Sequence, residues 1–116
     1  MDYKFINMEY LDSVSGGDPE VTREIVKLFR EQAVEICTEM RSNYSRKNYD
    51  FLGQLAHKAK SSVAIMGMND LALMLKSFEL MAREGKESEL YESYIERFKA
   101  ETDAAVIELE DLLNNL

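Results

Sequence analysis

The sequence predicts an all-α protein, an antiparallel four-helix bundle with a short extra helix at its N-terminal end. Three observations carry this expectation. The 116 residues include one proline and five glycines. The segments between them are too long for ordinary strands. Within those segments apolar residues recur at three- and four-residue steps, the period that gathers them on one helical face. With 46% hydrophobic residues the chain can bury one core, so a single domain over residues 1–116 is expected, with residues 1–7 as an N-terminal arm.

Met8, Tyr10, Leu11 and Val14 predict the short extra helix. Ser15-Gly16-Gly17 then breaks the pattern, and Asp18-Pro19-Glu20 supplies a capping side chain, a proline suited to the first helical position and an acid for the positive end of the dipole. The first long helix runs from there to about Tyr44, with Ile25, Leu28, Phe29, Gln32, Ile36 and Met40 as its inward stripe. After the polar turn Ser42 to Asn48, Leu52, Leu55, Ala59, Ser62, Val63 and Met66 resume the helical period until Gly67. Asn69 or Asp70 is expected to cap the next helix, which turns Leu71, Leu75, Phe78 and Ala82 inward and ends at Gly85. A final helix from about Ser88 presents Tyr91, Tyr94, Phe98, Thr102, Ala105, Leu109, Leu112 and Leu116. Four long amphipathic helices with short connections pack as an antiparallel bundle.

Composition removes several classes of function. A net charge of −8 repels phosphodiester backbones, and no basic patch of useful size offsets it, so no nucleic-acid partner is expected. Cys37 is the single cysteine and cannot form an internal disulfide, which suits a reducing compartment. The first seven residues lack the apolar run of a secretory signal, and no stretch of about 18 apolar residues occurs, so a soluble cytoplasmic protein without a membrane partner is expected.

One place breaks the bundle pattern. Projected at about 100° per residue, His57 lies nearly opposite the mean direction of the apolar residues of its helix, so the chain's one histidine faces water. Around it on that outer face stand Gly53 and Gln54 one turn before, Lys60 and Ser61 one turn after, and Ala64 two turns after. An exposed helix interior ordinarily excludes glycine, which costs about 1 kcal/mol relative to alanine. The small residues leave the imidazole over a shallow floor that another molecule could cover. Phe51 to Met66 also contains Lys58 and Lys60 and no acid, a local charge of +2 in an acidic chain. Lys60 is placed to neutralise an anion carried by the imidazole, with the hydroxyls of Ser61 and Ser62 as donors. That anion is read as a phosphoryl group: histidine, which as a residue type titrates near about 6.5, offers a nitrogen lone pair at neutral pH. No carboxylate cluster accompanies His57 to hold Mg²⁺, so a partner is expected to bring both the metal and the acceptor carboxylate.

These residues resemble a family, the histidine-containing phosphotransfer (HPt) domains of two-component phosphorelays. Ala56-His57-Lys58-Ala59-Lys60-Ser61-Ser62, followed by Gly67 and Leu71, is similar to that family's pattern, and Tyr10-Leu11-Asp12, Gly16-Gly17-Asp18, Phe78-Glu79 and Arg83-Glu84-Gly85 extend the likeness over about Met8 to Leu116. Ala59 stands where many members have Leu, Ser61 where Gly is usual, and Glu79 where some have a Gln that contacts the imidazole. The resemblance implies a phosphoryl carrier rather than an autonomous enzyme. His57 would be phosphorylated, Lys60 would neutralise the phosphoryl group, and Ser61 would permit close approach. It implies as partners response-regulator receiver domains and a hybrid sensor histidine kinase, docking around Gly53, Gln54, Lys58 and Ala64 with Met8 and Leu11 at the border, and Mg²⁺ on the partner receiver.

Two other classes compete with this one. Di-iron sites in bundles use two Glu-x-x-His pairs, whereas this chain has one histidine with Gln54 three residues before it; one Cys and one His far apart do not make a zinc site. An adaptor that docks receiver domains without being phosphorylated shares every feature except use of the imidazole.

Overall fold

The computed structural model describes residues 3–115, all-α as the spacing predicts. Helix α1 spans Met8–Ser15, α2 Pro19–Ser45, α3 Tyr49–Ile65, α4 Asn69–Glu84 and α5 Tyr91–Asn114, with one 3-10 turn at Ser88–Leu90 leading into α5. The four long helices form a closed ring of neighbours: α2 packs on α3, α3 on α4, α4 on α5, and α5 back on α2, while α1 lies across α2 and α3. The result is a rod of 43 × 21 × 20 Å. Its length follows from the 27 residues of α2 at about 1.5 Å per residue.

Local chemistry sets most boundaries where expected. Asp18 accepts a hydrogen bond from the Glu20 amide at 2.9 Å, with Pro19 in the first helical position. The start of α4 differs. Met68, not Asn69 or Asp70, occupies the cap position, without any side-chain cap. Gly67 explains the difference. Its φ of +73° turns the chain directly into α4, and a Cβ there would lie 2.6 Å from the Asn7 Cβ. The turn is held by its neighbours rather than by a capping side chain: the Asn7 amide donates to the Met66 carbonyl at 3.1 Å, and the Met68 side chain is buried.

The inward stripes of α3 and α4 are buried as their spacing predicts, and so is that of α5, with Tyr94 half-buried and Leu116 outside the described residues. Helix α2 is a correction. Phe29, Ile36 and Met40 are buried, but Gln32 is exposed and Leu28 is 54% exposed. The core stripe is Thr22, Val26, Phe29, Ala33, Ile36, Met40 and Asn43. Strict alternation of four and three keeps that set on one line through the whole helix, whereas Ile25, Leu28 and Gln32 follow a line displaced around it. Leu28 is therefore left beside Val14 of α1 and Ile65 of α3, in a shallow apolar groove that also borders Gln32 and Ser62.

The described part of the N-terminal arm, residues 3–7, is strapped down. The amides of Lys4, Phe5 and Ile6 all donate to the Glu108 carboxylate of α5, the closest at 2.9 Å, and the Tyr3 hydroxyl donates to Asp111 at 2.9 Å. Ile6 is buried beneath the strap. A carboxylate receiving three consecutive amides has its acceptor capacity well used, and such charge-assisted bonds exceed neutral ones in strength. Glu108→Ala is expected to cost about 1–3 kcal/mol in urea unfolding and to release the amides of residues 4–6 to hydrogen exchange while α3 and α4 stay protected. Unchanged protection of those three amides would show that the strap does not depend on Glu108.

Candidate functional site

The third long helix carries the site because of what packs behind it. Gly53, Ala56 and Ala59 are buried, so α4 approaches the backbone of α3 closely. A Cβ at Gly53 would lie 2.7 Å from the Arg83 Cγ and 3.2 Å from both the Arg83 amide nitrogen and the Glu79 carbonyl oxygen. Contacts this short cannot be accommodated without moving α4. Gly53 is thus a helix-packing residue, which corrects its expected place on an outer docking floor. The glycine that the sequence singled out as costly serves the seam between two helices of the same chain.

His57 stands one turn beyond Gly53, and 57% of its side chain is exposed. Its Nδ1 lies 3.2 Å from each oxygen of the Glu79 carboxylate, which reaches across from α4. Only 11% of the Glu79 side chain is exposed, and the same carboxylate accepts from Lys60 Nζ at 3.2 Å and pairs with Arg83 Nε at 3.1 Å. Burial pushes the Glu79 carboxyl upward, but hydrogen bonds from His57 and Lys60 outweigh it, and the net result is a group held below its ordinary value. Glu79 is therefore ionised at neutral pH and can only accept. The proton on the neutral imidazole must lie on Nδ1, leaving the lone pair on Nε2. The site thus combines an exposed ring with one nitrogen held on a carboxylate, and two cations gathered on that same carboxylate.

The other expected site residues divide. Lys60 is half-buried beside His57, and Ser61 is exposed one turn further along. Gln54 is exposed and its amide donates to Asp50 at 3.2 Å; Lys58 is exposed and Ala64 half-buried. Met8 is exposed at the surface of α1. Two placements are corrections. Ser62 is buried on the opposite side of α3, where its hydroxyl donates to Gln32 of α2 at 3.1 Å, so it is not beside His57. Leu11 is 1% exposed and belongs to the core, so it cannot border a docking face. Its spacing with Met8 and Val14 left both faces of a two-turn helix open, and packing on α2 and α3 chose Leu11.

Two residues were not placed in the site from sequence. In the sequence Glu79 stands out only as a departure from a family position, and Arg83 only as part of a flanking motif. The signal present was their four-residue spacing on α4, the separation of an intrahelical ion pair, with Glu79 directly next to the buried Phe78. Among the described residues no group of three or more His, Cys, Asp and Glu side chains is arranged to hold a metal ion.

With this geometry in hand, comparison with known families is direct. The family model for the Hpt domain matches residues 24–116. The chain belongs to the Hpt domain family. The match takes in most of α2 and all of α3, α4 and α5, and with them His57, Lys60, Glu79 and Arg83. No curated protein and no solved structure matches the chain at a significant level. Hpt domains are phosphocarrier modules of two-component systems, and the helical bundle described above is the architecture of this Hpt domain. No helix among its described residues is long and apolar enough to cross a membrane.

Two outcomes check the site. By helix propensity alone Gly53→Ala would stabilise α3 by about 1 kcal/mol; the seam reverses the sign, and urea unfolding should show a loss of about 1–3 kcal/mol. A stabilised variant would remove the packing explanation. The second concerns pH. Because the folded-state value of Glu79 is depressed, its contribution to stability is fully present above the ordinary carboxylate range and is lost as pH falls through that range and below it. Acid unfolding of Glu79→Gln should consequently be less steep than that of the wild type, and superimposable acid limbs would contradict the assignment.

Proposed function

We propose that this Hpt domain relays a phosphoryl group through His57, accepting it from the receiver-domain aspartate of a hybrid sensor histidine kinase and passing it to the aspartate of a response regulator. The observation that carries this reading is the exposed imidazole whose Nδ1 is anchored on a buried carboxylate while no partner among the described residues engages Nε2. In the loading step the Nε2 lone pair attacks phosphorus, the acyl oxygen–phosphorus bond breaks, and its electron pair returns to the donor carboxylate. Onward transfer reverses these bonds on a second receiver. Nδ1–H remains donated to Glu79 throughout, so the phosphorylated ring keeps a proton and departs as neutral imidazole.

The rest of the neighbourhood supports the reading. Phosphoryl transfer has a loose transition state and depends on positioning and charge neutralisation. Lys60 supplies charge one turn from the ring. Mg²⁺ bound by the partner receiver would neutralise the transferring group from the other side. Ser61 and Ala64 keep the surface beside His57 low, and Gln54 and Lys58 give it polar contacts. The exposed side chains of Leu28, Val14 and Ile65, which line the groove between α1, α2 and α3, and of Met8 offer the apolar area a docking receiver needs. The domain acts as a carrier in the cytoplasm, where receiver domains and a free Cys37 are at home.

The test is to mix the protein with a phosphorylated receiver and Mg²⁺. An acid-labile, base-stable phosphoryl adduct on the wild type and none on His57→Gln is the expected result. A receiver that binds without transferring label would instead identify a docking adaptor.

A further inference from the structure

The charges of this acidic chain are unevenly spread, and the face formed by α2 and α5 sorts them by helix. Along the side of α2 turned to α5 stand Arg23, Lys27, Arg30 and Arg41, all exposed and separated by three- and four-residue steps or sums of them. The neighbouring side of α5 carries Glu92, Glu96, Asp103 and Glu110 at the same kind of spacing, also exposed, with Lys99 as the exception among them. Two rungs join the stripes: Arg30 lies 3.4 Å from Glu110, and Arg41 pairs with Glu96. Between 44% and 57% of each rung side chain is exposed. Such pairs contribute little by themselves, and each leaves its outer side open to a further charge. Between the rungs runs a shallow groove lined by Ala33, Cys37, Thr102 and Val106, with Val34 at its edge and 64% exposed.

The partner that fits these stripes is a second copy of the chain. A two-fold rotation about an axis parallel to the helices lays α2 of each copy on α5 of the other. Because the members of each rung stand level along the rod, Arg30 then meets Glu110 of the partner subunit and Arg41 meets Glu96 of the partner subunit. Each rung becomes a square of alternating charges. A two-fold axis running across the rod instead sets Arg30 on Arg41 of the partner subunit and Glu96 on Glu110 of the partner subunit, like on like, which electrostatic complementarity rejects. We propose that the α2–α5 face is a homodimer interface in which two copies lie side by side and point the same way, with Val34 of each covering the groove of the other. Such an interface is isologous and closes at two copies. In the ring of helices this face lies opposite the α3–α4 seam, so both His57 side chains stay open, as does the groove between α1, α2 and α3. The proposal stands whether or not His57 is phosphorylated.

Sedimentation equilibrium of the full chain at concentrations up to about 1 mM should show a monomer–dimer equilibrium. Its dissociation constant should rise about tenfold between about 50 and about 500 mM NaCl, as salt screens the stripes. The double variant Arg30→Glu with Arg41→Glu should stay monomeric over that range, and so should Glu96→Arg with Glu110→Arg, circular dichroism establishing that both fold. Mixed in equal amounts, the two variants should form a heterodimer resolved by native mass spectrometry. The reversed α2 of one then meets the reversed α5 of the other, and the two unaltered stripes meet each other. Misfolding cannot produce that recovery. In the wild type the amide resonances of Val34, Lys99 and Val106 should move on dilution while those of Gly53 and His57 stay in place. A wild type that is monomeric at about 1 mM would overturn the proposal and leave the stripes to a different protein. A mixture of folded variants that does not associate, or dilution shifts confined to another face, would overturn it as well. Should the variants not fold, the wild-type dilution series decides.

Discussion

The close approach of α3 and α4 at Gly53 is the constraint from which the site follows. Two helices whose backbones meet at a glycine can pass a short side chain across the seam with its polar end intact. Here that side chain is Glu79, which reaches His57 Nδ1 at 3.2 Å. Were α4 held further out by even one methyl group, the carboxylate would lose its contact with the imidazole and the Arg83 stem its path over α3. Packing and chemistry are thus one arrangement, and the glycine that weakens α3 as an isolated helix is what makes α3 useful in the bundle.

A carboxylate next to a group proposed to carry a phosphoryl anion looks counterproductive until the charges are counted. Glu79 repels an anion, but it also gathers Lys60 and Arg83, and it fixes which ring nitrogen is free. In the water-poor seam the carboxylate is stabilised by its hydrogen bonds to His57 and Lys60 and stays ionised. Without it, no other contact among the described residues would hold the ring in one tautomer or gather the two cations. The acidic chain as a whole is no obstacle, since screening at physiological salt confines these effects to distances of about 8 Å.

How much of this was legible in the sequence depends on which interactions decided each residue. Helix identity was readable because proline and glycine are scarce and the apolar period is regular; the stripes of α3, α4 and α5 followed from spacing alone. The exposure of His57 followed in the same way, since it points nearly opposite the mean direction of the inward apolar residues of its helix. What one helix cannot reveal is its partner's surface. Gly53 lies at the edge of the outward arc of α3, and only the position of α4 decides whether that edge meets water or another backbone. Ser62 lies at the other edge, and α2 decided it. Leu28 and Leu11 show the same limit: each belonged to one of two adjacent apolar lines, and tertiary packing selected between them. Glu79 was visible as a departure from a family position, but its contact with an imidazole 22 residues away required the fold.

The central claim, that the Glu79 carboxylate holds the proton on His57 Nδ1 and leaves Nε2 as the nucleophile, is open to one direct measurement. Long-range ¹H–¹⁵N correlation of the imidazole in the unphosphorylated wild type, taken at alkaline pH, reports which nitrogen is protonated. A protonated Nδ1 and an unprotonated Nε2 are expected in the wild type, with that preference lost in Glu79→Ala. A ring protonated on Nε2, or one whose tautomers are unaffected by removal of Glu79, would contradict it.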